Sequence, residues 1–175
     1  MRIDKFDRSN PDAGLFEQAV RVHSRRLIGI ARAIVGRRAS PEDVVQQALL
    51  NLYEHRARYD WNEPGALMRR TVVNESLRLL RQPRMSSVEP EMVETDQHGP
   101  PAEMIGNETV QRVRQAIGRL PESFRAALVL CEYENLSYQQ IAEVLNASVP
   151  QVKTWIFRAR RQLAQLLKDL DHGRE

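Results

Sequence analysis

The segment from residue 137 to residue 163 constrains the fold most strongly, because it contains two helix-start signals close together. Ser137 is followed three residues later by Gln140, and Ser148 is followed three residues later by Gln151. In such a pair the serine side chain accepts a backbone N–H of the new helix, while the glutamine side chain bonds back to the serine backbone. The spacing therefore predicts a short helix, a tight turn and a second helix.

The apolar residues of this segment predict that the two helices pack against each other. Ile141, Ala142 and Leu145 face inward from the first helix, and Val152 and Ile156 face them from the second. Such a pair is typical of a helix-turn-helix, whose second helix places its N-terminal part in the DNA major groove. An ordinary helical bundle with a solvated basic face is the alternative.

The outward side of the second helix carries side chains that suit base recognition. Arginine, lysine and glutamine donate hydrogen bonds to base edges in the major groove. The residues predicted to contact duplex DNA are Gln151, Lys153, Thr154, Trp155 and Arg158.

Charge and proline content divide the chain into two parts. Residues 1–81 carry 15 basic and 10 acidic side chains, residues 82–104 carry 1 and 5, and residues 105–175 carry 10 and 8. The acidic stretch is also rich in proline, and loops of this length are uncommon inside a compact domain. We therefore expect a flexible acidic linker over 82–104 between two small domains, 10–81 and 105–172.

Both domains are predicted to be helical, so the fold class is all-α. Apolar residues recur at three- and four-residue steps before Gly36, which indicates a long amphipathic helix. Ser40 and Pro41 open a second helix, and a third is expected from Ala66 to Arg81. The inward residues expected on the third helix are Leu67, Thr71, Val72 and Leu79, and those on the first helix of the second domain are Val110, Val113, Ile117 and Leu120.

Composition argues against several functional classes. Cys131 is the only cysteine, which excludes an internal disulfide and a multi-cysteine zinc site. We find no metal-ligand spacing, phosphate-binding glycine loop or nucleophile–base pair, so we expect no enzyme activity, no cofactor and no metal. The N-terminus is too charged for a signal peptide, and no apolar run approaches the roughly 20 residues that cross a bilayer. A cytoplasmic protein is expected.

The sequence reads EDVVQ at residues 42–46, LPESFR at residues 120–125 and SYQQIA at residues 137–142. Together these motifs resemble bacterial RNA polymerase sigma factors of the extracytoplasmic-function (ECF) group, reduced to regions 2 and 4 of the sigma-70 family. Residues 42–46, EDVVQ, resemble the E-D-x-x-Q core of region 2. Arg70, Asn74 and Arg81 resemble the R-x-x-x-N…R ending of its last helix, although Leu67 stands where the family often has tryptophan.

The second domain is similar to region 4. Residues 120–125, LPESFR, resemble L-P-x-x-x-R, and residues 137–142, SYQQIA, resemble S-Y-x-x-I-A; residues 151–160 resemble T-V-K-S…R-A-R. Asn146 and Pro150 stand at positions where the family usually has glycine. Asparagine tolerates a left-handed turn and proline suits a first helical turn, so we expect the fold to be kept.

The resemblance implies a specificity subunit that binds core RNA polymerase and directs promoter-specific initiation. Region 4 would read the minus-thirty-five element as duplex through the five residues named above. Region 2 would open the minus-ten element and hold it as a single strand, which requires aromatic faces and cations. The residues implied are Arg58, Tyr59, Trp61, Asn62, Arg70 and Asn74. For Trp61 the alternative is a hydrophobic plug that holds the loop.

The resemblance also implies protein partners. One face of the second helix would bind the coiled coil of the largest polymerase subunit, through Asp43, Gln46, Gln47 and Asn51; a solvated face is the alternative. The acidic linker would thread toward the active cleft, or serve as a plain tether. An anti-sigma factor is the expected regulator.

Two other classes of non-enzymatic protein are open on the sequence alone. A stand-alone repressor would bind duplex DNA without polymerase, but it would not need Tyr59, Trp61 and Asn62 beside an arginine-rich helix. An adaptor built on the same fold would tolerate charge reversal at Lys153 and Arg158.

Overall fold

A computed structural model describes residues 11–82 and 104–172, and its regular elements over those ranges are helical. The all-α prediction is thus confirmed for this part of the chain. The expected linker lies outside the described residues, apart from Gln82 and Met104 at its ends. The helices are α1 (Pro11–Val35), α2 (Pro41–Glu54), α3 (Pro64–Arg81), α4 (Met104–Gly118), α5 (Glu122–Glu132), α6 (Tyr138–Leu145) and α7 (Val149–His172), with a short 3₁₀ turn at Arg56–Arg58.

The predicted stop and start between α1 and α2 are confirmed. Gly36 adopts a left-handed φ of +58°, and its N–H donates to the carbonyl of Arg32 at 3.1 Å. Glycine takes this conformation without a Cβ penalty, so it ends the helix cleanly. The Ser40 hydroxyl then accepts the backbone N–H of Asp43 at 3.2 Å, and Pro41 occupies the first turn of α2.

The buried face of α3 differs from the prediction. The helix begins at Pro64 rather than Ala66, since proline is well accommodated in a first turn. Of the four residues expected inward only Val72 is buried, and the other three are half-buried. The buried residues of α3 are Met68, Val72, Val73, Glu75, Ser76, Leu77 and Leu80. This set is wider than one stripe because α3 packs against α1 and α2 and also against α5 and α6.

A similar shift occurs on α4. Val110, expected inward, is 45% exposed, whereas Ala116 and Leu120 are buried. Ala116 was not predicted to face inward, and it is fully buried on a helix that packs against α1 and α7.

The helix-turn-helix geometry is confirmed at each predicted contact. The Ser137 hydroxyl accepts the N–H of Gln140 at 3.3 Å, and the Gln140 side chain accepts the N–H of Ser137 at 2.9 Å. Asn146 ends α6 in the left-handed conformation at φ 50° and ψ 52°, so it takes the role expected of glycine. The N–H of Ser148 donates to Gln151 at 2.8 Å, which starts α7.

The N-terminal half (α1–α3) and the C-terminal half (α4–α7) share one apolar core. A single cluster of buried residues runs from Ile34 and Val72 in the first half to Leu130 and Ile141 in the second. The contacts are made by α4 and α5 against α1, and by α5 and α6 against α3. The helix-turn-helix therefore lies against the last helix of the N-terminal half.

Arg125 joins three carbonyls at the centre of this junction. Its guanidinium donates to the carbonyl of Ile34 at 2.6 Å, to that of Gly118 at 2.6 Å and to that of Leu120 at 2.9 Å. These carbonyls lie at the C-terminal ends of α1 and α4, where backbone acceptors lack helical partners and the helix dipole is negative. Burial lowers the pKa of Arg125, and the carbonyls compensate its charge.

We expect Arg125→Met to lower the free energy of unfolding by about 3 kcal/mol, because it leaves several buried carbonyls without donors. Urea unfolding followed by circular dichroism measures this. Arg119→Met is the matched control: Arg119 is exposed at the same junction, so a change within about 0.5 kcal/mol is expected. Equal transition midpoints for the two variants would contradict the role given to Arg125.

Candidate nucleic-acid interface

The start of α7 presents a cationic face to solvent. Lys153 and Arg158 are exposed on it, as are Gln151 and Thr154. Thr154 donates its hydroxyl to the carbonyl of Pro150 at 2.9 Å, and Gln151 is engaged in the cap of the helix. The two cations are therefore the side chains of this face that reach farthest into solvent.

The fifth predicted residue of α7 lies in a different environment. Trp155 is half-buried and packs against the shared apolar core, so much of its indole is withheld from solvent. A helical period of 3.6 residues places position 155 at the border between the inward and outward faces. The sequence analysis had placed Trp155 among the fully outward residues.

Phe157 is an exposed aromatic residue that the sequence analysis did not select. Its side chain is 66% exposed, although an aromatic ring of this size is normally covered. It stands three and four residues after Thr154 and Lys153, which places it on the same helix face. Helical spacing from those two residues would have identified it.

The loop between α2 and α3 is anchored by Trp61. The indole N–H donates to the carbonyl of Arg56 at 3.0 Å, and the ring meets Phe16 of α1 edge-on, with centroids 5.7 Å apart. Asp60 accepts both the backbone N–H and the side-chain amide of Asn62, at 3.0 and 2.8 Å. These bonds give the loop a defined shape and leave Tyr59 exposed.

Arg70 and Asn74 lie on the exposed side of α3, one helical turn apart. They line a surface cleft whose opposite wall is formed by Leu145 and Asn146, the end of α6 and the turn residue of the helix-turn-helix. The structure thus brings two residues predicted to contact the minus-ten element next to the element predicted to bind duplex DNA.

The predicted polymerase-binding residues share one face of α2. Asp43, Gln46, Gln47 and Asn51 are all exposed, and the Gln47 amide donates to Asn51 at 3.0 Å. Leu50 lies on the same face and is 48% exposed, which gives the polar surface an apolar centre that the sequence analysis did not identify.

The negative charge at the start of α2 is stabilised locally. A hydrogen bond from its own backbone N–H lowers the pKa of Glu42, with further contributions from the Ser40 hydroxyl and the Arg32 guanidinium. The acid beside the N-terminus of α2 therefore stays ionised, as the helix dipole favours.

Family models match both halves of the chain. The model for sigma-70 region 2 matches residues 19–84, and the model for sigma-70 region 4 matches residues 110–163. The RNA polymerase sigma-H factor of Pseudomonas aeruginosa is 30% identical over 91% of this chain and 89% of its own length. The chain belongs to the ECF group of sigma-70 factors.

Solved sigma-factor structures share the fold of this sigma factor. CnrH, solved in complex with the cytosolic domain of CnrY, is 26% identical with a TM-score of 0.65, covering 91% of this chain and 90% of that one. RpoE of Bartonella quintana, solved with the anti-sigma factor NepR, has a TM-score of 0.68 at 20% identity, covering 87% and 96%. The chain spans 66 to 90% of the length of the first three curated relatives that it matches.

Neither a membrane-crossing helix nor a cluster of metal ligands occurs among the described residues. No helix among them has the length and apolarity that a membrane crossing requires. Over the same residues, no group of three or more histidine, cysteine or acidic side chains is placed to hold a metal ion.

Replacing Trp61 tests its role as the anchor of the loop. Trp61→Phe keeps a ring against Phe16 but loses one hydrogen bond, so we expect a loss of about 1 kcal/mol in the free energy of unfolding. Trp61→Ala also loses the ring contact, and we expect roughly 2–3 kcal/mol because the site is half-buried. Urea unfolding provides the measurement.

Tyr59→Ala, in the same loop but at an exposed position, is the control and is expected to change stability by less than about 0.5 kcal/mol. If Trp61→Ala proves as mild as Tyr59→Ala, Trp61 does not anchor the loop.

Proposed function

We propose that this sigma factor binds core RNA polymerase in the cytoplasm and directs transcription initiation at specific promoters. In this proposal residues 105–172 act as region 4 and read the minus-thirty-five element as duplex, and residues 10–81 act as region 2 and open the minus-ten element. The observation that carries it is the capped helix α7, which presents Lys153 and Arg158 on a solvent-exposed face directly after the helix-turn-helix turn.

Readout of the minus-thirty-five element rests on the N-terminal turns of α7. Lys153 and Arg158 donate to guanine edges or to phosphates, and a good bidentate base contact discriminates by about 1–3 kcal/mol. Gln151 and Thr154 lie beside them and contribute shorter polar contacts. Trp155 supports the helix from its buried side and offers only its exposed edge.

Opening of the minus-ten element rests on the loop after α2 and on α3. Stacking of an extruded base on an aromatic ring contributes about 1–3 kcal/mol. The exposed ring of Tyr59 is available for such stacking. Trp61 anchors the loop and presents its uncovered side to a base. Asn62 supplies polar contacts to the base, and the cations Arg58 and Arg70, with Asn74, hold the single strand.

Protein partners are proposed for two surfaces. The polar face of α2 with Leu50 at its centre has the composition of a docking site for the polymerase, since apolar anchors inside a polar rim dominate binding energy. An anti-sigma factor is the proposed regulator, because RpoE of Bartonella quintana, which shares this fold, was solved in complex with one.

Run-off transcription tests the proposal. Core RNA polymerase with this protein, on a library of random promoters, should produce start sites that are absent without the protein. Arg158→Ala should abolish most of them, whereas Arg161→Ala, an exposed neighbour farther along α7, should preserve them. Duplex binding without polymerase-dependent transcription would indicate a repressor instead.

Phe157 gives a finer prediction about base readout. An exposed aromatic ring in the major groove contacts the C5-methyl group of thymine. We expect that replacing one thymine of the minus-thirty-five element by uracil, which lacks only this methyl group, weakens promoter binding severalfold. The same replacement should have no effect on Phe157→Ala holoenzyme. Equal sensitivity of both proteins at every thymine would contradict a methyl contact by Phe157.

A further inference from the structure

The two halves of this sigma factor lie too close together for both promoter elements to be bound at once. Arg70 and Asn74 of α3 face Leu145 and Asn146 across one cleft. A strand of DNA in contact with α3 would therefore meet the helix-turn-helix, and a duplex at the helix-turn-helix would meet α3.

The dimensions of DNA lead to the same conclusion. The two promoter elements are named for positions roughly 25 base pairs apart, which corresponds to about 85 Å of duplex at 3.4 Å per base pair. A compact chain of 175 residues has a radius of gyration near 16 Å and is about 40 Å across. The arrangement with one shared core cannot span that separation.

We propose that the buried carboxylate of Glu134 is the latch that holds the two halves of the free sigma factor in this closed arrangement. Opening then separates the two DNA-binding surfaces, so that each can receive its own promoter element. The consequence for promoter binding rests on the proposed function; the closed state and its latch do not.

Glu134 joins the C-terminal half to two helices of the N-terminal half. Its side chain is completely buried. One carboxylate oxygen accepts Nε of Arg26 on α1 at 2.6 Å, and the other accepts Nη1 of Arg69 on α3 at 3.1 Å. The pairing raises the pKa of Arg26, chiefly through the hydrogen bond with Glu134. No other acidic side chain among the described residues is both buried and paired across the two halves.

The latch weakens if one charge is removed. Arg69 is only 19% exposed at its side chain, so without Glu134 its guanidinium would lose its ion-pair partner while it stays largely buried in the closed state. Removing one partner of a buried ion pair is strongly unfavourable for the state that buries it. In the open state the same arginine is solvated, so the loss of Glu134 has little effect on the free energy of that state.

Residues next to Glu134 allow the C-terminal half to approach α1 closely. Tyr133 lies over Gly29 of α1, and a Cβ at position 29 would be 2.6 Å from the tyrosine oxygen. A cleft beside the carboxylate is lined by His23, Leu27, Gly65 and the two arginines. The contact between Tyr133 and Gly29 forms only when the two halves are together.

Single-molecule energy transfer between the two halves tests the latch. Dyes attached at Glu54→Cys on α2 and Gln162→Cys on α7, both exposed, report their separation in full-length protein carrying Cys131→Ala. We expect the free protein to show mainly high transfer, and Glu134→Gln to raise the low-transfer fraction about tenfold or more, since a hydrogen bond to a charged group is lost.

Two matched controls accompany these variants. Glu132→Gln removes an exposed carboxylate that pairs with Arg160 within the C-terminal half, and it should leave the distribution unchanged. If Glu134→Gln does not fold, Arg26→Gln replaces it, because Arg26 is half-exposed; exposed Arg25→Gln is its control. A low-transfer majority in the unmodified protein, or identical distributions for a latch variant and its control, would overturn the proposal.

Adding core RNA polymerase distinguishes a failure of the latch proposal from a failure of the proposed function. Adding polymerase should convert the labelled protein to low transfer, and Glu134→Gln should need less protein for half-maximal transcription while reaching the same maximum. If polymerase neither binds nor supports transcription, the proposed function fails. The free-protein distributions still decide whether Glu134 is a latch.

Discussion

The buried ion pair of Glu134 with Arg26 and Arg69 is the interaction on which the arrangement of the two halves depends. Apolar burial supplies the general attraction between the halves, but it is non-directional. A buried charge is satisfied only by partners in correct geometry, so it selects one packing among many. Arg125 acts in the same way on the backbone, since its three carbonyl acceptors come from the ends of two helices. Together these groups align α5 with α1 and α3.

Local signals in the sequence predicted the parts of the fold that depend on neighbouring residues. Helix starts at Ser40 and Ser137, and the left-handed turn at Asn146, follow from hydrogen bonds within four residues or from one residue's backbone preference. The junction between the halves could not be predicted in this way. Arg26 and Glu134 are 108 positions apart, and no pattern along the chain relates them. The wider buried face of α3 has the same origin, because helices from both halves cover it.

In the candidate site, too, features set by local spacing were predicted, whereas features set by tertiary packing were not. Exposure of Lys153 and Arg158 followed from helical spacing, and so did the shared face of Asp43, Gln46, Gln47 and Asn51 on α2. The partial burial of Trp155 and the exposure of Phe157 did not, because both depend on how the rest of the molecule packs against α7.

Each half of the protein is proposed to read one promoter element. Selection of active promoters with single variants tests this assignment most directly. Core polymerase would be combined with Arg158→Ala or with Asn74→Ala, and active sequences would be recovered from a random promoter library. Among the sequences that remain active, we expect Arg158→Ala to relax base preference only in the upstream element, and Asn74→Ala to relax it only in the downstream element. Loss of preference in the same element for both variants would contradict the assignment of one promoter element to each half.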